Sequence, residues 1–427
     1  MRFASTRGQA APVSFSEALL QGLAPDGGLY IPQQWPDLRG LQPEPLPQLG
    51  ARLIGVFAAE DPLAAAVPAI TAEAFDFPAP LQPVGQSGHL DVLELFHGPT
   101  AAFKDFGARF LAASLARIPR ASGRPLRILV ATSGDTGGAV AAAFHRRPGI
   151  EVVVLFPKGL VSPTQQQQLT CWGDNVVSLA VRGTFDDCQR LVKEAFLDES
   201  LRTRVEMSSA NSINLGRLLP QAVYYAASSL AIQARTGAPA SYVIPSGNLG
   251  NAAACIWARR MGLPIDRIVL AHNANRTVPE FIATGVLKPR PSIPTLASAM
   301  DVGNPSNLER LVKLFPGNAL AGQVSAWSIS DEDIRFRIRA DHLAFGRVWC
   351  PHTATAAEVY ARLPEEERAT RHWVLVATAH PAKFREIVEP LVGKVQVPAN
   401  LQHLYDLPSR FSEIGPTLSE LRRATGD

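Results

Sequence analysis

The chain has 427 residues, 46% of them hydrophobic, and a formal net charge of +3 from 41 basic and 38 acidic side chains. That length exceeds one ordinary core and sets an expectation of two or three domains, and the hydrophobic share excludes a disordered chain. So small a charge excess gives no electrostatic reason to bind nucleic acid or membrane.

Taken in chain order, the N-terminal Met-Arg-Phe-Ala-Ser-Thr-Arg-Gly lacks the apolar core of a signal peptide. Residues 1–80 alternate short apolar runs with turns such as Pro25-Asp26-Gly27-Gly28, and three prolines between Pro43 and Pro47 break any long helix. This stretch reads as a separate N-terminal cap domain. Beyond residue 88 the pattern becomes strand, loop, helix, repeated. Arg127 to Thr132, Glu151 to Phe156, Asn175 to Val181, Ser241 to Pro245, Arg267 to Ala271 and His372 to Ala377 are apolar runs of strand length. Thr184 to Phe196 places Phe185, Cys188, Val192 and Phe196 at helical spacing, and Leu218 to Ala234 reads as a buried helix, its Pro220 and glutamines arguing against a membrane span. The fold class is therefore α/β: parallel sheets covered on both faces over residues 81–427, with a smaller α/β unit at about 123–207 inserted in the larger one. The cysteines at 171, 188, 255 and 350 form no C-x-x-C pair, so a reducing cytoplasm is expected and no zinc ribbon. The nine histidines show no ligand spacing, and no metal site is expected.

Three segments rich in small residues lie between strands and helices. They are Thr132 to Gly138, Asn211 to Arg217 and Ser246 to Asn251. Such loops let backbone N–H groups approach an anion, and a following helix adds its positive end. The dinucleotide fingerprint is absent, since Glu151 begins the strand that it would have to end, and the P-loop lacks its Gly-Lys pair. A fourth segment runs from His97 to Phe106 and sets Lys104 between aromatics at the head of a helix pattern. Burial and a helix N-terminus both disfavour an ammonium, and a neutral lysine forms imines with aldehydes. From this local pattern alone, a lysine that snorkels its amine to water is the reading to be displaced.

The motifs H-G-P-T-x-A-F-K-D-F, T-S-G-D-T-G, N-S-I-N-x-x-R, P-S-G-N-x-G-N, M-D-V-G-N-P-S-N and A-T-A-H-P-A-K-F occur in this order. With S-T-R-G at residues 5–8 and L-A-P-D-G-G-L-Y at residues 23–30, the set closely resembles the threonine synthase family, in its bacterial and fungal subgroup. The resemblance implies fold type II: two open parallel-sheet domains with pyridoxal 5'-phosphate (PLP) between them. It implies Lys104 as the Schiff-base lysine, and Ser246, Gly247, Asn248, Leu249, Gly250 and Asn251 as the cradle of the cofactor phosphate. It sets Thr378 against the pyridine nitrogen. Thr132, Ser133 and Thr136 would hold the substrate carboxylate, and Asn211, Ser212, Asn214 and Arg217 the substrate phosphate. Asp135, assigned to the cofactor, stands where many fold relatives carry Asn. An ionised Asp cannot donate to the cofactor's phenolate, which leaves three readings: a protonated carboxyl, one held by backbone amides, or an acceptor for the substrate amine. The Met300 to Asn304 segment reads as a turn without assigned chemistry.

The implied reaction converts O-phospho-L-homoserine and water to L-threonine and phosphate. The competing readings are a phospholyase releasing 2-oxobutyrate and ammonia, a ligand-binding paralogue without catalysis, and a dehydratase of free threonine. A monomer is expected from the subgroup.

Overall fold

The computed structural model describes residues 1–85, 88–120, 123–132 and 134–427. In the N-terminal part, strand Phe3–Ser5 pairs antiparallel with Tyr30–Pro32, and helices Phe15–Gln21, Leu46–Gly55 and Val67–Ala74 pack beside them. Ser14 and Glu17 close a reciprocal cap on the first helix. The proline run ends where the second helix begins, with Pro47 in its first turn, a place where a missing N–H costs nothing.

Two sheets follow. The larger has six strands in the order Ser325–Ser328, Ile265–His272, Ala240–Pro245, His372–Ala377, Leu90–Glu94 and Leu81–Pro83. All its pairs are parallel except the last. The smaller has five parallel strands in the order Ser412–Ile414, Val176–Val181, Ile150–Pro157, Leu126–Ala131 and Glu206–Ser209. Strands Leu126–Ala131, Ala240–Pro245 and His372–Ala377 are buried at every residue, which is why they read as continuous apolar runs rather than alternating ones.

Two features differ from the expectation. The smaller sheet does not close near residue 207 but takes its edge strand Ser412–Ile414 from the far end of the chain. Pro220 divides the run from Leu218: a 3-10 turn spans Leu219–Gln221 and the helix proper is Ala222–Thr236, ended by Gly237 in a left-handed conformation. Among the described residues no helix is long and apolar enough to cross a membrane.

Three fully buried strands lead into residues singled out in the sequence. Leu126–Ala131 ends at Thr132, Ala240–Pro245 at Ser246 and His372–Ala377 at Thr378. In open parallel sheets, ligands bind outside these carboxyl ends.

Candidate active site

A cavity of about 320 Å³ opens between the two sheets. Lys104, Thr132, Asp135 and Thr136 line it, as do Asn211, Ser212 and Arg217. The whole Ser246 to Asn251 loop and Thr378 complete the predicted set. Ser133 lies outside the described residues. Asn214 does not reach the cavity: its amide donates to Leu19 O and Ser209 O, both at 2.9 Å, and its Oδ1 caps the short helix Leu215–Leu218 at Gly216 N.

Lys104 is the first residue of helix Lys104–Leu115. The preceding loop is strained: Ala101 has φ +52°, and its carbonyl accepts from His380 N at 3.0 Å. Phe103 N donates to Thr378 O at 2.8 Å, so the lysine loop is pinned to the end of the central strand. Burial pulls the Lys104 amine down to about 8, aided by Arg217 and Lys383 and opposed by Asp135. Lys104 is partly buried and lines the cavity, which supports a pocket-facing amine over one that snorkels to the outer surface. Lys158, by contrast, is half exposed and paired with Glu413.

One turn along the same helix, Gly107 lies against the backbone of Arg217, where an added Cβ would sit 2.5 Å from Arg217 O. Arg217 is buried and donates through Nη1 to Ala210 O. Its Nε has no hydrogen-bond partner, and burial lowers its guanidinium pKa to about 10. A buried planar cation with unused N–H capacity suits a phosphate.

The second anion loop is built against another surface. Leu249 adopts φ +60° at the cap of helix Gly250–Arg260. Gly247 lies so close to Met300 that a Cβ would meet its Cα at 2.8 Å, which explains the glycine. Asn251 Oδ1 accepts from Tyr225 at 2.7 Å and lies 2.6 Å from the Tyr224 hydroxyl, leaving its buried Nδ2 unpaired.

Just beyond the Met300 to Asn304 turn, residues Ser306 to Arg310 join the two loops. Asn307 donates to Asn248 O at 3.0 Å and reaches Ser212, while Ser306 N donates to Asn248 Oδ1 at 2.6 Å. Asn248 Nδ2 in turn donates to Ser212 Oγ at 2.6 Å. The buried Arg310 extends this network, donating to Asn307, to Ile213 O and to Tyr30 O of the N-terminal part.

On the smaller sheet, Thr132 Oγ1 accepts from Gly134 N at 3.0 Å and Gly137 N at 2.9 Å. Asp135 opens helix Asp135–Phe144, and its Oδ1 lies 3.0 Å from Lys383 Nζ. Burial alone would raise this carboxyl, but Lys383, Lys104 and His352 hold it well below the usual range, so it is ionised. The approach of Lys383 Nζ to 3.0 Å favours an ionised Asp135 over the protonated reading. Sequence reasoning missed His352, which lines the cavity and accepts from Ala299 N at 3.0 Å through Nε2; burial lowers its pKa to about 4, so it is neutral. His97 and His380, inside the motifs, do not line the cavity. Among the described residues no group of three metal-ligating side chains occurs.

A cavity-lining lysine of lowered pKa, flanked by two loops with unpaired donors, is the arrangement of an imine-forming enzyme that holds anionic groups. Residues 78–379 match the family described as pyridoxal-phosphate dependent enzyme, residues 2–75 the threonine synthase N terminus, and residues 353–424 the threonine synthase C-terminal region. These matches define the class, a PLP-dependent enzyme. A threonine synthase of Haemophilus influenzae is 40% identical over 417 residues, 96% of each chain. The crystal structure of threonine synthase from Escherichia coli superposes with a TM-score of 0.90 at 35% identity, covering 100% of this chain and 99% of that one. A PLP-bound threonine synthase from Brucella melitensis gives 0.89 at 34% identity, covering 99% and 98%. The chain belongs to the threonine synthase family. Its residues fit the cofactor: the unpaired Nδ2 of Asn251 is a donor left over in a loop with the backbone geometry of an anion cradle.

Proposed function

We propose that the chain converts O-phospho-L-homoserine and water to L-threonine and phosphate, the last step of threonine biosynthesis. The observation that carries this reading is Arg217: a buried cation with an unused N–H, in a second anion loop distinct from the cofactor cradle, beside Lys104. An enzyme acting on a substrate without phosphate has no use for it.

PLP, when bound, supplies the electron sink for proton removal next to the amino group. In this reading Ser246 to Asn251 would hold the cofactor phosphate and the Thr378 hydroxyl would serve the pyridine nitrogen. Asn211, Ser212 and Arg217 hold the substrate phosphate, and Asn214 braces them from behind. Thr132 shapes its loop, since its hydroxyl already serves two backbone N–H groups; the carboxylate is left to Thr136, Ser133 and the backbone. The Lys104 amine, near neutrality in its proton affinity, takes the Cα proton and carries protons at later stages. Four buried free cysteines support the reducing cytoplasm.

A phospholyase would use the same residues and differ only in failing to add water; likeness to threonine synthases over the full chain favours the synthase. The test is O-phosphohomoserine turned over in heavy-oxygen water. Threonine labelled at its side-chain hydroxyl is expected, with little 2-oxobutyrate. Predominant 2-oxobutyrate, or unlabelled threonine, refutes the reading.

A further inference from the structure

We propose that Lys383 is a positioning residue of this site, a fully buried cation whose ion pair with Asp135 spans the two sheets and leaves the Lys104 amine free to react. The inference rests on Lys104 being the cofactor lysine.

Lys383 sits in the 3-10 turn Pro381–Phe384, just past the strand that ends at Ala377, and has no exposed surface. Its ammonium has two oxygen contacts, Asp135 Oδ1 at 3.0 Å and Thr100 O at 2.7 Å. It does not line the cavity, so it is neither the imine lysine nor a group that touches substrate. A cation is costly to bury, and a paired one persists where its charge has a use.

The two contacts show that use. Asp135 comes from the smaller sheet's helix and lines the cavity with Lys104. Thr100 belongs to the loop that delivers Lys104. Its N–H and hydroxyl donate to the buried Asp105 at 2.8 and 2.7 Å, and its carbonyl is held by Lys383. Lys383 therefore fixes both the carboxylate beside the reactive amine and the strained turn before it.

The electrostatics follow from counting charges. The groups facing Asp135 are Lys383, Lys104 of helix Lys104–Leu115, and His352 and Cys350 of the helix N-terminus at Pro351. His352 is neutral and the Cys350 thiol is raised by burial, so two cations compete for one carboxylate. Asp135 favours the charged form of Lys104, while Lys383 and Arg217 disfavour it. With Lys383 present, Asp135 has its own counter-ion and Lys104 can shed its proton. Without Lys383, the remaining cation close to Asp135 is Lys104 itself, which would be held as an ammonium. An ammonium has no lone pair to add to the cofactor aldehyde, the step that forms C=N and expels water.

The test follows covalent PLP attachment to apoenzyme against pH, read by the visible band and by borohydride trapping. Wild type should attach with a midpoint near 8, the value to which Lys104 is lowered. Lys383→Met should move the midpoint up by roughly one to three pH units, the range for an uncompensated opposite charge close by. Lys383→Arg should stay near wild type. Adding Asp135→Asn to Lys383→Met removes the charge that needed compensation and should bring the midpoint back. An unchanged midpoint in Lys383→Met overturns the proposal, as does a shift that Asp135→Asn does not reverse, since a purely structural lysine would give that. Should Lys383→Met fail to fold, the same failure in the double variant also overturns it. Mapping the trapped peptide in wild type tests the underlying reading separately: attachment anywhere but Lys104 refutes that assignment whatever the midpoints show.

Discussion

The two sides of the cavity are held by different means. On the larger sheet's side, side-chain amides bond across from loop to loop. Asn248 joins Ser212 and Ser306, Asn307 joins Ser212 and Asn248, and Asn251 is gripped by two tyrosine hydroxyls. On the smaller sheet's side, the Thr132 hydroxyl bonds within its own loop, and Asp135 reaches across through an ion pair to Lys383. Oriented amides fix position without depending on pH or on a counter-ion. An ion pair fixes position only while both charges persist, and it also sets the charge that Lys104 feels. The arrangement suits a site in which two phosphate groups need a rigid mould and the reactive amine needs a tuned field.

The comparison breaks most completely at the lysine both sides serve. Lys104→Ala should abolish turnover and the visible absorption of bound PLP. Retained colour and a borohydride-trappable adduct would move the attachment elsewhere, and Lys383 would then have to leave its ion pair. The next largest effect should come from Gly107→Ala. Its new Cβ would lie 2.5 Å from Arg217 O and 3.1 Å from Arg217 Cα, both backbone atoms that cannot swing aside. Helix Lys104–Leu115 and the phosphate motif must then separate, and displacements of about 1 Å cost on the order of 10²-fold in rate. Thermal unfolding measured alongside should show a loss of roughly 1–3 kcal/mol. Full activity in this variant would mean that the two elements are not held in register.

The strands and the Lys104 helix were legible because buried parallel strands are unbroken apolar runs and the lysine stands between two aromatics. Other features were hidden for physical reasons. Strand Leu90–Glu94 contains Asp91, a poor strand former, whose buried carboxylate is accepted because Arg235 and His372 lie beside it. Asp135 read as ambiguous because its cation, Lys383, is brought to it only by tertiary folding. The bonding of Asn248 to Asn307 is equally non-local. Asn214 could have been read better: an Asn before Leu215 and Gly216 is a helix-cap signal, and its Nδ2 donors are spent on Leu19 O and Ser209 O.

A smaller effect sharpens the division between the two anion loops. Arg217→Leu should lower kcat/KM for O-phosphohomoserine by about 10- to 100-fold, the scale of one or two charge-assisted hydrogen bonds at roughly 1.5–3 kcal/mol. PLP affinity should survive, because none of the Ser246 to Asn251 groups depends on the guanidinium. Loss of PLP with unchanged substrate use would exchange the two assignments.

The smallest expected effect concerns the amide grip itself. Tyr225 donates to Asn251 Oδ1 at 2.7 Å, and the Tyr224 hydroxyl lies 2.6 Å from the same oxygen but also 3.0 Å from Gln221 Oε1. Two hydroxyls aimed at one oxygen force the amide to present Nδ2 on its other side, where it has no protein partner. That orientation is the one that donates to an anion. Removing the Tyr225 hydroxyl costs one buried neutral hydrogen bond, about 0.5–1.5 kcal/mol, and leaves Tyr224 to hold the amide. Tyr225→Phe should therefore raise the dissociation constant for PLP by roughly 2- to 10-fold, read by titrating apoenzyme with cofactor. The substrate KM at saturating PLP should not move. The opposite pattern, a raised KM with unchanged cofactor affinity, would place Asn251 in the substrate-phosphate site and dissolve the boundary between the two loops.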